Sequence, residues 1–158
     1  MGTQLFLDTP LLVLRSLAID PVLWGALLAG ITLGTMLFFS AVMAPLIFTR
    51  LDISVASVFI RQVFPWYYAV GIILAALAAI LLSTHSPIAA TLSFCVAALG
   101  ILARQILMPR INRASDRIKV NGPSNVPRFN RLHRLSVAGN GLQVVLMAGA
   151  FVLAFYRI

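Results

Sequence analysis

The chain has 158 residues, of which 61% are hydrophobic and only 10% are charged, and its mean hydropathy is +1.00. A soluble domain of this size cannot bury so much apolar surface, so the composition excludes a water-soluble globular protein and indicates an integral membrane protein. The formal charge of +8 favours contact with anionic lipid headgroups over nucleic acid, because basic residues concentrate in the loops that flank membrane spans.

Residues 1–21 precede the first long apolar run and are predicted to form a separate N-terminal segment. They lack the basic start, apolar run and cleavage site of a signal peptide. Thr9-Pro10 is typical of a helix N-terminus, and the apolar stretch 11–19 is too short to span a bilayer, so we predict a short interfacial amphipathic helix there. Asp20-Pro21 repeats the cap-and-proline pattern and predicts the start of the first span.

Residues 22–158 are predicted to form one transmembrane domain, because its length accommodates four crossings of about 20 apolar residues each. The predicted spans are residues 22–48, 66–82, 88–108 and 133–156. Spans two and three are joined by so short a turn that they must form an antiparallel hairpin. The sequence therefore predicts an all-α protein, a left-handed four-helix bundle that lies in lipid and contacts the bilayer on all sides.

An aromatic cluster with a proline, residues 64–68, stands where the second span is predicted to begin. Tryptophan and tyrosine concentrate at membrane interfaces, and a proline in the first turn of a helix costs no hydrogen bond. Pro65 is therefore interpreted as the start of the second helix, and the aromatic residues around it as an interfacial anchor.

Basic residues are concentrated in the two predicted connections 49–63 and 109–132, whereas the turn between spans two and three contains none. The connection 109–132 is predicted to be the only long soluble stretch, and it carries many Arg and Lys against the single acid Asp116. Because basic loops stay on the cytoplasmic side, we predict a multi-pass protein of the cell (inner) membrane. Both connections would then be cytoplasmic and both termini outside.

The fourth span carries a stripe of polar residues: His133, Ser136, Asn140 and Gln143. They recur at intervals of three, four and three residues, which places them on one helix face. Polar groups inside a membrane face protein or water, so the stripe is either the lining of a functional site or a set of hydrogen bonds between helices. Both interpretations stay open at this stage.

Several short motifs resemble the transmembrane protein 205-like family (domain of unknown function 4149). They are Pro45 and Phe48, then Phe64, Pro65 and Tyr67, then Pro109 and Arg110, then Phe129 with His133, Ser136 and Asn140. Their order and spacing match over about residues 22–156. The resemblance implies a four-span protein of a largely uncharacterised family, with a hint of metal or small-solute handling. In the predicted topology the motifs converge on the cytoplasmic half, where His133, Ser136, Asn140 and Tyr67 would line any site.

Three classes of function fit this sequence. The favoured hypothesis is a transport-like protein that handles a metal or small solute at the polar cluster, although no metal ligand set or cofactor can be named. The alternative is a non-catalytic accessory or assembly subunit of a larger membrane protein complex. The expected partners are a second copy of the chain, in a homo-oligomer, or the other subunits of such a complex. A haem-binding enzyme is disfavoured, because His85 and His133 are predicted at opposite membrane faces, and His133 with Ser136 lacks an acidic partner for nucleophilic catalysis.

Overall fold

The computed structural model describes residues 20–156, which form a bundle of four long helices. The helices are α1 (Pro21–Arg50), α2 (Ile53–Leu82), α3 (Pro87–Val120) and α4 (Val126–Phe155). Each is long and apolar enough to cross a bilayer, and the described residues contain no strand. The predicted all-α membrane fold is therefore confirmed, while the predicted interfacial helix 11–19 lies outside the described residues.

Each helix packs against its neighbours in the chain, and α4 closes the ring against α1. Small side chains dominate the buried core: Ala26, Ala29, Ala75, Ala78, Ala89, Ala97, Ala150 and Ala154. Large apolar side chains point outwards, among them Ile31, Ile73, Ile80, Ile88, Phe94 and Val145. In lipid this distribution is favourable, because the bilayer solvates large apolar side chains while small ones let the helix backbones approach closely.

Glycines mark the places where α1 comes closest to its neighbours. A Cβ atom added at Gly25 would lie 2.7 Å from Leu82 Cγ on α2, and one added at Gly30 would lie 3.0 Å from the Phe151 ring on α4. Gly34, four residues further on, would meet nothing within 4 Å. A side chain at Gly25 would therefore clash with Leu82, one at Gly30 would require the Phe151 ring to move by a few tenths of an ångström, and one at Gly34 would meet open space.

The first helix begins where the sequence predicts, whereas the second begins earlier than predicted. Asp20 Oδ1 accepts a 2.8 Å hydrogen bond from the Val22 N–H, and a proline occupies the first turn, as predicted. The prediction that Pro65 begins the second helix was wrong, since α2 begins at Ile53 and Pro65 lies in its interior. A proline inside a helix leaves the carbonyl four residues earlier, here that of Arg61, without its helical N–H partner. Next to this position, Arg104 Nε of α3 donates to the carbonyl of Pro65 itself at 3.2 Å.

The structure has helix over much of residues 109–132, where the sequence predicted a basic loop. The helix α3 continues to Val120 and α4 begins at Val126, with a tight turn that starts at Gly122 (φ 72°). At 34 residues α3 is about 50 Å long, whereas the hydrocarbon core of a bilayer is about 30 Å thick. From this difference in length we expect the polar end of α3 to lie outside the hydrocarbon core. The segment stays helical as an amphipathic helix that packs against the start of α4.

The sequence has twelve Lys and Arg residues, and all but Arg15 and Arg157 belong to the described chain. These ten residues lie in one half of the bundle. This is the half in which α1 and α3 end and α2 and α4 begin, and we call its extremity the basic end. One of these cations bridges two helices there: Arg61 Nη2 lies 2.6 Å from Asp116 Oδ1 and 3.4 Å from the Asn112 carbonyl. The ion pair is largely exposed, so its contribution to stability is small.

Candidate functional site

Two helices depart from regular α geometry in a π-helical turn. The turns are Phe39–Met43 in α1 and Ala103–Leu107 in α3. In each, the N–H directly after the turn donates to a carbonyl five residues back, and a proline follows one position later, Pro45 or Pro109. Proline lacks an N–H and its ring crowds the carbonyl four residues earlier, which here lies inside the wider π-helical turn. Proline position thus explains both irregularities.

The two π-helical turns and the internal proline of α2 lie at one level of the bundle. The Phe39 ring, in the turn of α1, stacks on Tyr67 at a centroid distance of 4.5 Å. Arg104, in the turn of α3, donates to the Pro65 carbonyl. Two helices therefore contain a π-helical turn, and a third contains an internal proline, at the same depth. Such π-helical turns are frequent at functional sites.

A chain of side-chain hydrogen bonds crosses the bundle at this level. Tyr67 Oη donates to Asn140 Oδ1 at 3.0 Å, and Asn140 Nδ2 donates to Ser40 Oγ at 2.8 Å, so the chain joins α2, α4 and α1. The Ser136 side chain, one turn away on α4, approaches the hydroxyl of Tyr68. We call these five residues the polar layer: Ser40, Tyr67, Tyr68, Ser136 and Asn140.

A cluster of aromatic rings includes the two tyrosines of the polar layer and lies towards the inside of the bundle. The Phe39 ring contacts Phe64 and Tyr67 at centroid distances of 5.2 and 4.5 Å, and Tyr68 joins the cluster through Tyr67 at 5.3 Å. The interpretation of residues 64–68 as an interfacial anchor was therefore wrong for these three side chains, because they lie within the bundle. Trp66, which is 75% exposed, is the member that faces outwards.

Gln143 lies one turn beyond Asn140 and binds the remaining helix. Its side chain is buried, and its Nε2 donates to the Val96 carbonyl of α3 at 3.0 Å. A Cβ atom added at the adjacent Gly100 would lie 3.5 Å from that same Nε2. Together Asn140 and Gln143 connect α4 to each of the other three helices.

The structure separates the first residue of the predicted stripe from the others. His133 is exposed and lies parallel to the ring of Phe129, with centroids 6.0 Å apart. It is outside the polar layer, whereas Ser136 and Asn140 join Tyr67 there. Ser40 belongs to the layer and was missed by sequence reasoning, although a hydroxyl within an uncharged apolar span was a signal that could have found it.

The polar layer is open at the bundle surface between α1 and α4, because Ser40 is exposed and Asn140 is only half-buried. A cavity of about 10 Å³, bordered by Thr32, Tyr68 and Gln143, lies nearby and has room for about one water molecule. Among residues 20–156, no group of three or more His, Cys, Asp or Glu side chains comes together to hold a metal ion.

The remaining motif residues lie in the same half of the bundle, towards the basic end. Pro45 and Phe48 are exposed on α1, Pro109 follows the π-helical turn of α3, and Phe129 lies against His133. Arg110 borders an open groove of about 620 Å³ between α3 and α4, which we call the basic groove. Its lining is Arg110, Arg128, Arg131, Leu132, Arg134, Leu135 and Ala138.

A protein-family model described as Domain of unknown function (DUF4149) matches residues 27–119. No curated protein and no solved structure matches the chain. The matched region includes Ser40, Tyr67 and both π-helical turns, and it ends before α4, which supplies Asn140 and most of the basic groove.

Proposed function

The chain belongs to the family described as Domain of unknown function (DUF4149), and from that premise we propose that it handles a small polar solute at the polar layer. The observation that carries this proposal is the hydrogen-bonded chain Ser40–Asn140–Tyr67, which is open to the surroundings at its Ser40 end. Polar groups within apolar spans are costly, so an accessible cluster of them indicates a functional role.

The chemistry of the polar layer favours a hydrogen-bonding solute over a metal ion. Hydroxyl and carboxamide groups both donate and accept hydrogen bonds, whereas transition metals prefer thiolate, thioether, imidazole or carboxylate ligands. A solute that bonds to Ser40 Oγ and Asn140 Nδ2 would replace the 2.8 Å bond between them. The irregular backbone of α1 and α3 at this depth supports the proposal, since such turns often accompany binding sites.

A screen of solute-dependent thermal stability tests this proposal. The purified protein in neutral detergent is heated with a panel of small polyols, amides and ureas. At least one solute should raise the Tm of the wild type and of Thr91→Ala, a control whose hydroxyl bonds only within its own helix at 2.8 Å. The same solute should leave the Tm of Ser40→Ala unchanged. A shift that survives in Ser40→Ala would place the solute elsewhere.

We propose further that the basic end faces the cytoplasm of the cell membrane and that both termini face outwards, because basic segments stay on the side of synthesis. Labelling with a membrane-impermeant maleimide tests this in a Cys95→Ala background. His85→Cys, in the turn at the opposite end, should react in intact cells, and Lys119→Cys only after lysis. The reverse pattern would invert the proposed topology.

The alternative function is that of a non-catalytic accessory or assembly subunit in a larger membrane protein complex. The observation that favours it is that Asn140 and Gln143 each bond to other helices, which is also how polar residues fasten a purely structural bundle. Gentle extraction from the native membrane followed by mass measurement separates the two functions. One copy or a few copies would support solute handling, and a large particle with other subunits would support the accessory role.

A further inference from the structure

We propose that the basic groove binds one phospholipid with an anionic headgroup, whose phosphate contacts the arginines and whose acyl chain follows the apolar part of the groove. This proposal is independent of solute handling at the polar layer. The sequence predicts a general attraction of the basic segments for anionic lipid. The present proposal is more specific, because it names one binding site between α3 and α4.

Four arginines line the basic groove. Arg128, Arg131 and Arg134 follow one another at intervals of three residues on α4, so they occupy neighbouring turns on one side of the helix. Arg110 faces them from α3 across the groove. A guanidinium group binds two phosphate oxygens at once, in a bidentate manner. Arginine therefore fits a phosphate better than lysine does, because the lysine ammonium acts only as a point charge.

The positive charge of the groove is not compensated within the described chain. The ion pair found among residues 20–156 joins Arg61 to Asp116, neither of which lines the groove. The four groove arginines are exposed and have no acid beside them in the lining. An anion that enters the groove therefore meets unpaired guanidinium groups at the edge of the membrane.

The apolar residues of the groove distinguish a lipid from a soluble anion. Leu132, Leu135 and Ala138 also recur every three residues. Leu132 lies between Arg131 and Arg134, and Leu135 and Ala138 lie beyond the arginines towards the middle of α4. From Arg128 to Ala138 the lining extends about 15 Å along the helix axis and changes from basic to apolar. A phospholipid has the same order, from a charged headgroup to an acyl chain, whereas free phosphate would leave the apolar part unused.

Native mass spectrometry in neutral detergent tests the proposal with phosphatidylglycerol as the anionic lipid and phosphatidylcholine as the comparison. We expect one phosphatidylglycerol per chain, bound at least about tenfold more tightly than phosphatidylcholine. The triple variant R128Q/R131Q/R134Q should lose at least about tenfold in affinity. The matched variant R50Q/R117Q/K119Q, which removes the same charge from the same end outside the groove, should lose less than about twofold.

Two results would overturn the proposal. An equal loss in the two triple variants would show diffuse attraction by the basic end instead of a site. Equal affinity for phosphatidylglycerol and for soluble glycerophosphoglycerol would show that the acyl chain contributes nothing. If the acyl chain does bind in the groove, Leu135→Asn should weaken the binding of phosphatidylglycerol and leave that of glycerophosphoglycerol unchanged. If circular dichroism shows that the groove triple variant is misfolded, R131Q/R134Q replaces it, with R117Q/K119Q as control and at least about a fivefold loss expected.

Discussion

Replacing Asn140 by leucine removes both of its side-chain hydrogen bonds while nearly preserving the size of the side chain. The bonds to Tyr67 Oη (3.0 Å) and Ser40 Oγ (2.8 Å) each join α4 to another helix. Hydrogen bonds between membrane helices average about 0.6 kcal/mol and reach about 1.7 kcal/mol, so Asn140→Leu should lower the free energy of unfolding by about 1–3 kcal/mol. Tyr67→Phe, which loses one bond, should cost about half as much.

A double-mutant cycle in bicelles isolates the bond between these two residues. Unfolding free energies are measured by steric trapping for the wild type, Asn140→Leu, Tyr67→Phe and the double variant. We expect a coupling energy of about 0.5–1.5 kcal/mol between the two substitutions. The same measurement with Thr35→Val as the second substitution should give none, because the Thr35 hydroxyl bonds to Ile31 O in its own helix. Additive effects of Asn140→Leu and Tyr67→Phe would refute the polar layer as an interhelical contact.

The remaining predictions concern packing in α1 and the polar stripe of α4. Gly25→Ala should destabilise the bundle by about 1–3 kcal/mol, because its Cβ would lie 2.7 Å from the buried Leu82 Cγ. Gly34→Ala should be neutral or raise the free energy of unfolding by up to about 1 kcal/mol, because its Cβ would meet nothing within 4 Å. Equal effects of Gly25→Ala and Gly34→Ala in SDS titrations would contradict this prediction. His133→Ala should change the free energy of unfolding by less than about 0.5 kcal/mol, because His133 is exposed. Gln143→Ala should lower it by more than about 1 kcal/mol, because the buried bond to the Val96 carbonyl is lost. The same titrations measure both variants.

The candidate site could be predicted only in part. The structure joins Asn140 to Tyr67, two residues that the family motifs and the predicted topology had placed in the same half of the bundle. The periodicity of α4 predicted only that Asn140 shares a helix face with His133, Ser136 and Gln143. The same periodicity included His133, which the structure leaves exposed. A helix face about three turns long does not meet the same neighbours along its length, and near the basic end α4 projects beside α3 alone. Ser40 could not be paired with Asn140, since they are 100 residues apart and join through helix packing.

Hydropathy by itself determined that the chain forms four membrane helices, and the distribution of basic residues determined that one end of the bundle is basic. Both follow from strong, local terms: in lipid each backbone polar group must be satisfied within its own helix, and each apolar side chain is solvated wherever it points. Only the tertiary structure decided the rotation of each helix, the position of Pro65 inside α2, the continuation of α3 beyond the membrane and the partners of Asn140. These depend on close contacts between small residues and on single hydrogen bonds, which are weak individually and act between distant parts of the chain.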